Sequence, residues 1–147
     1  MPGLEDLYRE IVLDHYRNPR NRGELPCPPA TRAEGFNPLC GDEVVVYTDL
    51  ADGVVRDVRV GGQGCSISQS TASMMSVAVK GRSLEEVEKL ERSFKAMMSI
   101  VTDGGEVAPP VDLGDLEALR GVVKFPVRIK CATLCWNTLT ESLRDQP

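Results

Sequence analysis

The chain has 147 residues, 17 Lys and Arg against 22 Asp and Glu, a net charge of −5, and five cysteines. That length specifies one domain able to bury about two-thirds of its unfolded surface. An acidic chain without a basic run argues against nucleic acid as a partner, because phosphate binding relies on clustered Lys and Arg. No apolar stretch approaches the roughly 20 residues that span a bilayer, and the N-terminus has no signal-peptide pattern. A cytoplasmic chain with no membrane partner is therefore expected, in which cysteines serve as thiols or metal ligands before disulfides.

In chain order, Leu4, Leu7, Ile11 and Leu13 lie at near-helical spacing and predict a helix over Leu4 to Tyr16. Asn18-Pro19 and the following Gly23 stop it, since proline excludes the preceding residue from helical geometry. Leu25 to Ala30 is a proline-rich connection, and Thr31 to Phe36 reads as a short strand. Val44 to Thr48 and Val54 to Val60 are β-rich runs joined by Asp52-Gly53, a strong hairpin signal. In the second run the alternation sets Val54, Arg56, Val58 and Val60 on one face, with Arg56 out of place there.

After Cys65 the period changes. Ser66 to Lys80 reads as a helix closed by Gly81. Ser83 with Glu86 forms a capping box that opens a helix to about Ile100. Val101 to Asp112 reads as loop, Asp115 to Gly121 as a short helix, Pro126 to Lys130 as extended, and Ala132 to Leu143 as a last helix. Strands first and helices after give an α+β domain, with helices on one face of a small antiparallel sheet.

Three cysteines stand at glycine-flanked or basic positions: Cys40 before Gly41, Cys65 after Gly61, Gly62 and Gly64, and Cys131 after Arg128 and Lys130. Asp42 is two residues from Cys40, so at a turn both side chains can face one centre. Glycine density before Cys65 lets backbone approach a bound group closely. At the expected junction of extended chain and helix, a helix N-terminus would favour the Cys131 thiolate. Three thiolates and a carboxylate around a dication sum to about −2, which Arg128 and Lys130 would offset. Such a set binds zinc, holds an iron–sulfur cluster, or passes sulfur between thiols. No Cys-x-x-Cys pair is present, so it is not a compact zinc finger.

The remaining candidates read as structural. Cys27 lies in an irregular proline loop, and Cys135, one helical turn beyond Cys131, reads as core packing at the base of the site, with a reserve sulfur-relay thiol as the alternative. His15, the only histidine, fits a structural or partner-binding role near the end of the first helix better than metal ligation. Met74, Met75, Met97 and Met98 fall at helical spacing and read as core.

Four motifs in order then carry a resemblance: Asp14-His-Tyr-Arg-Asn-Pro-Arg-Asn21 with Gly23, Asn37-Pro-Leu-Cys-Gly-Asp42, Gly62-Gln-Gly-Cys-Ser-Ile-Ser-Gln-Ser70, and Arg128-Ile-Lys-Cys-Ala132 with Trp136. Over nearly its whole length the chain resembles the U-type iron–sulfur cluster assembly proteins (the IscU, NifU N-terminal and SufU family). The resemblance implies a three-stranded sheet with helices packed on it, and a site formed by Cys40, Asp42, Cys65 and Cys131. Scaffold members carry a histidine immediately before the third cysteine, where this chain has Lys130. They also have a shorter link between the second and third cysteines, so the region around 101–125 looks like an insertion within the single domain 1–147. Both features are similar to the SufU branch, which binds zinc and accepts sulfur from a cysteine desulfurase.

Three functions follow. In the first, Zn2+ is held by the four residues and Cys40, on the most mobile turn, accepts persulfide sulfur from a PLP-dependent, SufS-like desulfurase. Arg128 and Lys130 steady the persulfide and the partner, and sulfur passes to downstream assembly or apo-acceptor proteins. The chain is then a carrier that turns over rather than an enzyme with its own substrate. In the second, the same residues carry a labile [2Fe–2S] cluster, built from iron and handed on. In the third, zinc merely staples a binding module. A cysteine hydrolase lacks support, since nothing pairs His15 with a thiol.

Overall fold

The computed structural model describes residues 2–98 and 112–144, with side chains from Tyr8 onward. Helix α1 spans Pro2–Arg17; strands β1 Thr31–Asn37, β2 Asp42–Ala51 and β3 Val54–Gln63 follow, then helices α2 Ser66–Val79 and α3 Leu84–Met97. A 3-10 helix over Gly114–Lys124 leads directly into α4, Pro126–Arg144. The expected loop over 101–111 lies outside the described residues.

The strands form one antiparallel sheet in the order β1-β2-β3. Asp52 and Gly53 both take positive φ, 52° and 75°, as the tight hairpin between β2 and β3 requires. On every second rung, β1 and β2 pair Ala33 with Val46, Gly35 with Val44 and Asn37 with Asp42, so these residues share the face that α2 and α4 cover. Val44, Val46, Val58 and Val60 are buried on it.

The pairing slips at the far end of the hairpin, where Asp49 faces Asp57 but Leu50 faces Val55. That irregularity turns Val55 into the core and leaves Val54 exposed, against the simple alternation read from Val54 to Val60. Arg56, the residue skipped, reaches across to Asp49 instead. The outer edge of β3 is covered by the chain after α1: Val60 N–H donates to the Asn21 carbonyl at 2.9 Å and Gly23 N–H to the Val60 carbonyl at 3.1 Å.

Helix α3 begins at the capping box read from the sequence, with Ser83 and Glu86 each bonding the other's backbone. It ends at Met97 rather than near Ile100. Its Phe94 ring stacks on Trp136 of α4, with centroids 5.7 Å apart. Met74, Met75 and Met98 lie in the same core, with Met97 packed against it.

The segment Pro126 to Lys130 is helical, not extended. Proline suits the first position of a helix, where its missing N–H would have had no partner and its fixed φ is already helical. The first turn of α4 therefore starts at Pro126, ahead of the Ala132 start expected from the sequence. The short helix expected at 115–121 is likewise longer, filling Gly114–Lys124, and it buries Leu116, Leu119 and Val122.

Candidate metal centre

One end of the sheet brings the site together. β1 ends at Asn37, the chain turns through Cys40, and β2 starts at Asp42 directly across the ladder. The same end of β3 leads through Gly64 into Cys65, the N-cap of α2. Cys131 comes from the second turn of α4, which crosses β1 and β2.

Ligating atoms of Cys40, Asp42 and Cys131 all lie within 4.8 Å of one another. The Cys131 and Cys40 sulfurs are 3.3 Å apart. Cys65 joins by way of the carboxylate: its sulfur is 3.7 Å from Asp42 Oδ2, and its backbone N–H donates to Asp42 Oδ1 at 2.8 Å. Glycine at 64 is what permits that approach. With φ at +155°, a Cβ there would fall 2.5 Å from Asp42 Oδ1.

Burial grades the four. Asp42 and Cys131 are fully buried, whereas Cys40 and Cys65 keep part of their surface. Burial pushes the Cys131 thiol well above its ordinary value, and hydrogen bonding with Asp42, Cys40 and Cys65 adds to the effect. The helix N-terminus expected at Cys131 lies instead at Cys65, whose sulfur caps α2 by accepting the Ser68 N–H at 3.4 Å. Because α4 starts at Pro126, Cys131 sits too far along the helix for its N-terminus to act on the sulfur.

This donor set fits a borderline-soft dication. Tetrahedral zinc with sulfur at 2.3 Å sets ligands about 3.8 Å apart, close to the 3.3 and 3.7 Å found here. Among the described residues no Lys or Arg pairs with the buried Asp42 carboxylate, and a bound cation would supply the missing charge.

Arg128 and Lys130 lie in the first turns of α4, both exposed, and neither has an ionic partner among the described residues. Exposed apolar side chains mark the two segments that carry Cys40 and Cys131: Phe36 and Leu39 on one, Phe125 and Val127 on the other.

Cys135 is fully buried in the core, where burial pushes its thiol up as well. Cys27 is exposed in the 25–30 connection and belongs to no ligand group among the described residues. His15 is buried, but it does not bond the last carbonyls of α1. Its Nε2 lies 2.8 Å from Asp115 Oδ2 and its Nδ1 2.8 Å from Ser73 Oγ. With the carboxylate accepting the Nε2–H bond, Nδ1 accepts the serine hydroxyl, and Ser73 Oγ accepts the Arg20 N–H at 2.9 Å. Ser73 has no exposed surface, so this chain of bonds ties helices together and offers no nucleophile.

Sequence reasoning passed over two residues that touch the sulfurs. Asn37 donates from Nδ2 to Cys131 Sγ at 3.7 Å, and the Ser68 amide reaches Cys65 as described. The Asn-Pro-Leu turn chemistry was the available signal for the first.

A thiol and carboxylate cluster at the end of a helix-backed, three-stranded sheet defines a class of small α+β proteins with a donor set that could hold a metal ion. Within that class the chain belongs to the NifU-like N-terminal domain family, whose model matches residues 7–132. It is 44% identical to the zinc-dependent sulfurtransferase SufU of Bacillus subtilis, over 97% of this chain and 93% of that protein. It is 38% identical to the iron–sulfur cluster assembly scaffold protein IscU of Streptococcus pyogenes, over 96% of this chain and 85% of that one. A solved structure from Fervidobacterium islandicum, described as a candidate scaffold for cluster assembly in the SUF system, superposes with a TM-score of 0.80. It is 29% identical and covers 91% of this chain and 94% of its own.

Proposed function

We propose that this chain is a sulfur acceptor of iron–sulfur cluster assembly, loaded at Cys40 by a PLP-dependent cysteine desulfurase and unloaded by downstream assembly or apo-acceptor proteins. The observation that carries the reading is the asymmetry of the cluster. Asp42 and Cys131 are fully buried, while Cys40 rides on a partly exposed turn 3.3 Å from the Cys131 sulfur. Zinc dependence in the name of the Bacillus relative, together with the donor set, supports Zn2+ held by Cys40, Asp42, Cys65 and Cys131.

When bound, zinc keeps the thiols deprotonated and brings no redox chemistry of its own. The Cys40 thiolate attacks the outer sulfur of the partner's persulfide. The partner's S–S bond breaks, its cysteine leaves as thiolate, and Cys40 carries the persulfide with no net change in electrons. Arg128 and Lys130 steady the anionic product, and the exposed Phe36, Leu39, Phe125 and Val127 give the desulfurase an apolar rim to dock on. Thiol chemistry of this kind suits the reducing cytoplasm. The chain turns over as a carrier and has no small-molecule substrate of its own.

A second reading rests on the names of the scaffold relatives and on Asp42. A carboxylate is a harder ligand than a thiolate, so a [2Fe–2S] cluster built here from iron and sulfide would be labile and easily handed on.

Desulfurase turnover on cysteine, with this protein titrated in, tests the proposal. Saturable stimulation by the zinc-loaded protein is expected, lost on metal removal and in Cys40→Ser. Undiminished stimulation by Cys40→Ser would refute the acceptor assignment. No stimulation, with a cluster formed under iron and sulfide and passed to an apo-protein, would establish the scaffold in its place.

A further inference from the structure

The three sulfurs differ in what donates to them. Cys65 Sγ accepts the Ser68 N–H at the start of α2, and Cys131 Sγ accepts Asn37 Nδ2. Among the described residues Cys40 Sγ meets no N–H donor, only the Cys131 thiol. An N–H donated to a thiolate draws off electron density, which holds the sulfur as a ligand and blunts it as a nucleophile.

From this arrangement we infer that Asn37 is a positioning residue that reserves Cys131 as a permanent ligand and leaves Cys40 as the reactive thiol. The inference rests on the metal-bound sulfur-acceptor reading above. It also explains why one asparagine stands at this corner. Asn37 is buried at the last rung of β1, opposite Asp42. Its Oδ1 accepts the Leu39 N–H at 3.2 Å and its carbonyl accepts the Cys40 N–H at 3.3 Å. Because Leu39 supplies an N–H, the oxygen of the amide must face the turn and the NH2 must face Cys131. One side chain therefore shapes the loop bearing Cys40 and marks Cys131 as the sulfur that stays.

Site-resolved alkylation tests it. The full-length protein, loaded with zinc, is exposed to iodoacetamide for graded times, and each cysteine peptide is quantified by mass spectrometry. The same protein loaded with Co2+ is followed by its thiolate-to-cobalt absorption. Asn37→Ser and Asn37→Asp both keep an oxygen for the Leu39 N–H and both remove the amide N–H that reaches Cys131; the serine hydroxyl ends one bond short of that position and adds no charge. In each variant Cys131 is expected to react about ten-fold faster, with Cys40 and Cys65 little changed, and the cobalt band to move to longer wavelength. Should the aspartate variant fail to fold, the serine variant carries the test alone.

Metal-loaded variants with unmoved Cys131 reactivity and an unmoved cobalt band would overturn the role of Asn37 and leave the acceptor reading standing. A wild-type protein that binds neither zinc nor cobalt would overturn the metal reading and this inference with it.

Discussion

Cys131 and Cys135 stand one helical turn apart on α4, both without exposed surface, and the physics of the two thiols is alike until metal enters. Burial raises each from its ordinary 9.0, and at Cys131 the neighbouring Asp42, Cys40 and Cys65 raise it further. A thiol with a raised folded value keeps its proton longer in the folded state than in the unfolded one. Its stabilising contribution is therefore complete below about pH 9 and is lost as pH rises above that. The metal-free protein is predicted to lose stability steadily from about pH 9 upward, in urea denaturation at a series of pH values. The zinc-loaded protein should show a shallower loss if Cys131 ligates the metal, because a ligating Cys131 would already be a thiolate. Equal slopes for the two forms would remove Cys131 from the ligand set.

At the scale of elements, the 3-10 helix Gly114–Lys124 combines apolar packing with a polar tie from its Asp115 to His15. It buries Leu116, Leu119 and Val122, and His15 ties its Asp115 to α1 and, through Ser73, to α2. His15→Ala leaves the buried Ser73 hydroxyl without its acceptor and should cost about 1–3 kcal/mol in chemical denaturation. Asp115→Asn should cost less, because that side chain is 58% exposed. Limited proteolysis should cut within 112–125 faster in the alanine variant. Equal stability for the wild type and His15→Ala would show that apolar packing alone seats this helix. The region around 101–125, read as an insertion, is thus joined at its described end to α1 and α2 rather than standing apart from them.

For the whole molecule, the question is whether the fold needs metal. The apolar core runs from Val44 and Val46 through Met75 and Phe94 to Trp136, and includes none of the candidate ligands Cys40, Asp42, Cys65 and Cys131. Chelation is therefore expected to lower the melting temperature while leaving far-UV circular dichroism and a cooperative transition in place. A metal present at a thousand times its dissociation constant adds about 4 kcal/mol. Collapse of the dichroism on chelation would mark a structural staple, because in such modules metal binding is folding.

Much of this was legible in local chemistry. Asp52-Gly53 fixed the hairpin, Ser83 and Glu86 the start of α3, and the glycines around Cys40 and Cys65 their place on turns at one end of the sheet. These are short-range signals, each set by backbone dihedrals or by one bond within a few residues. The tertiary structure decided the rest: that Pro126 opens a helix, that Val55 and not Val54 faces inward, and that Cys65 rather than Cys131 stands at a helix N-terminus. It also paired His15 with Asp115, 100 residues away, and Asn37 with Cys131, 94 away. Residue types and local order are written along the chain. Which thiol is buried, and which donor faces it, depends on segments that meet only when α4 crosses the sheet.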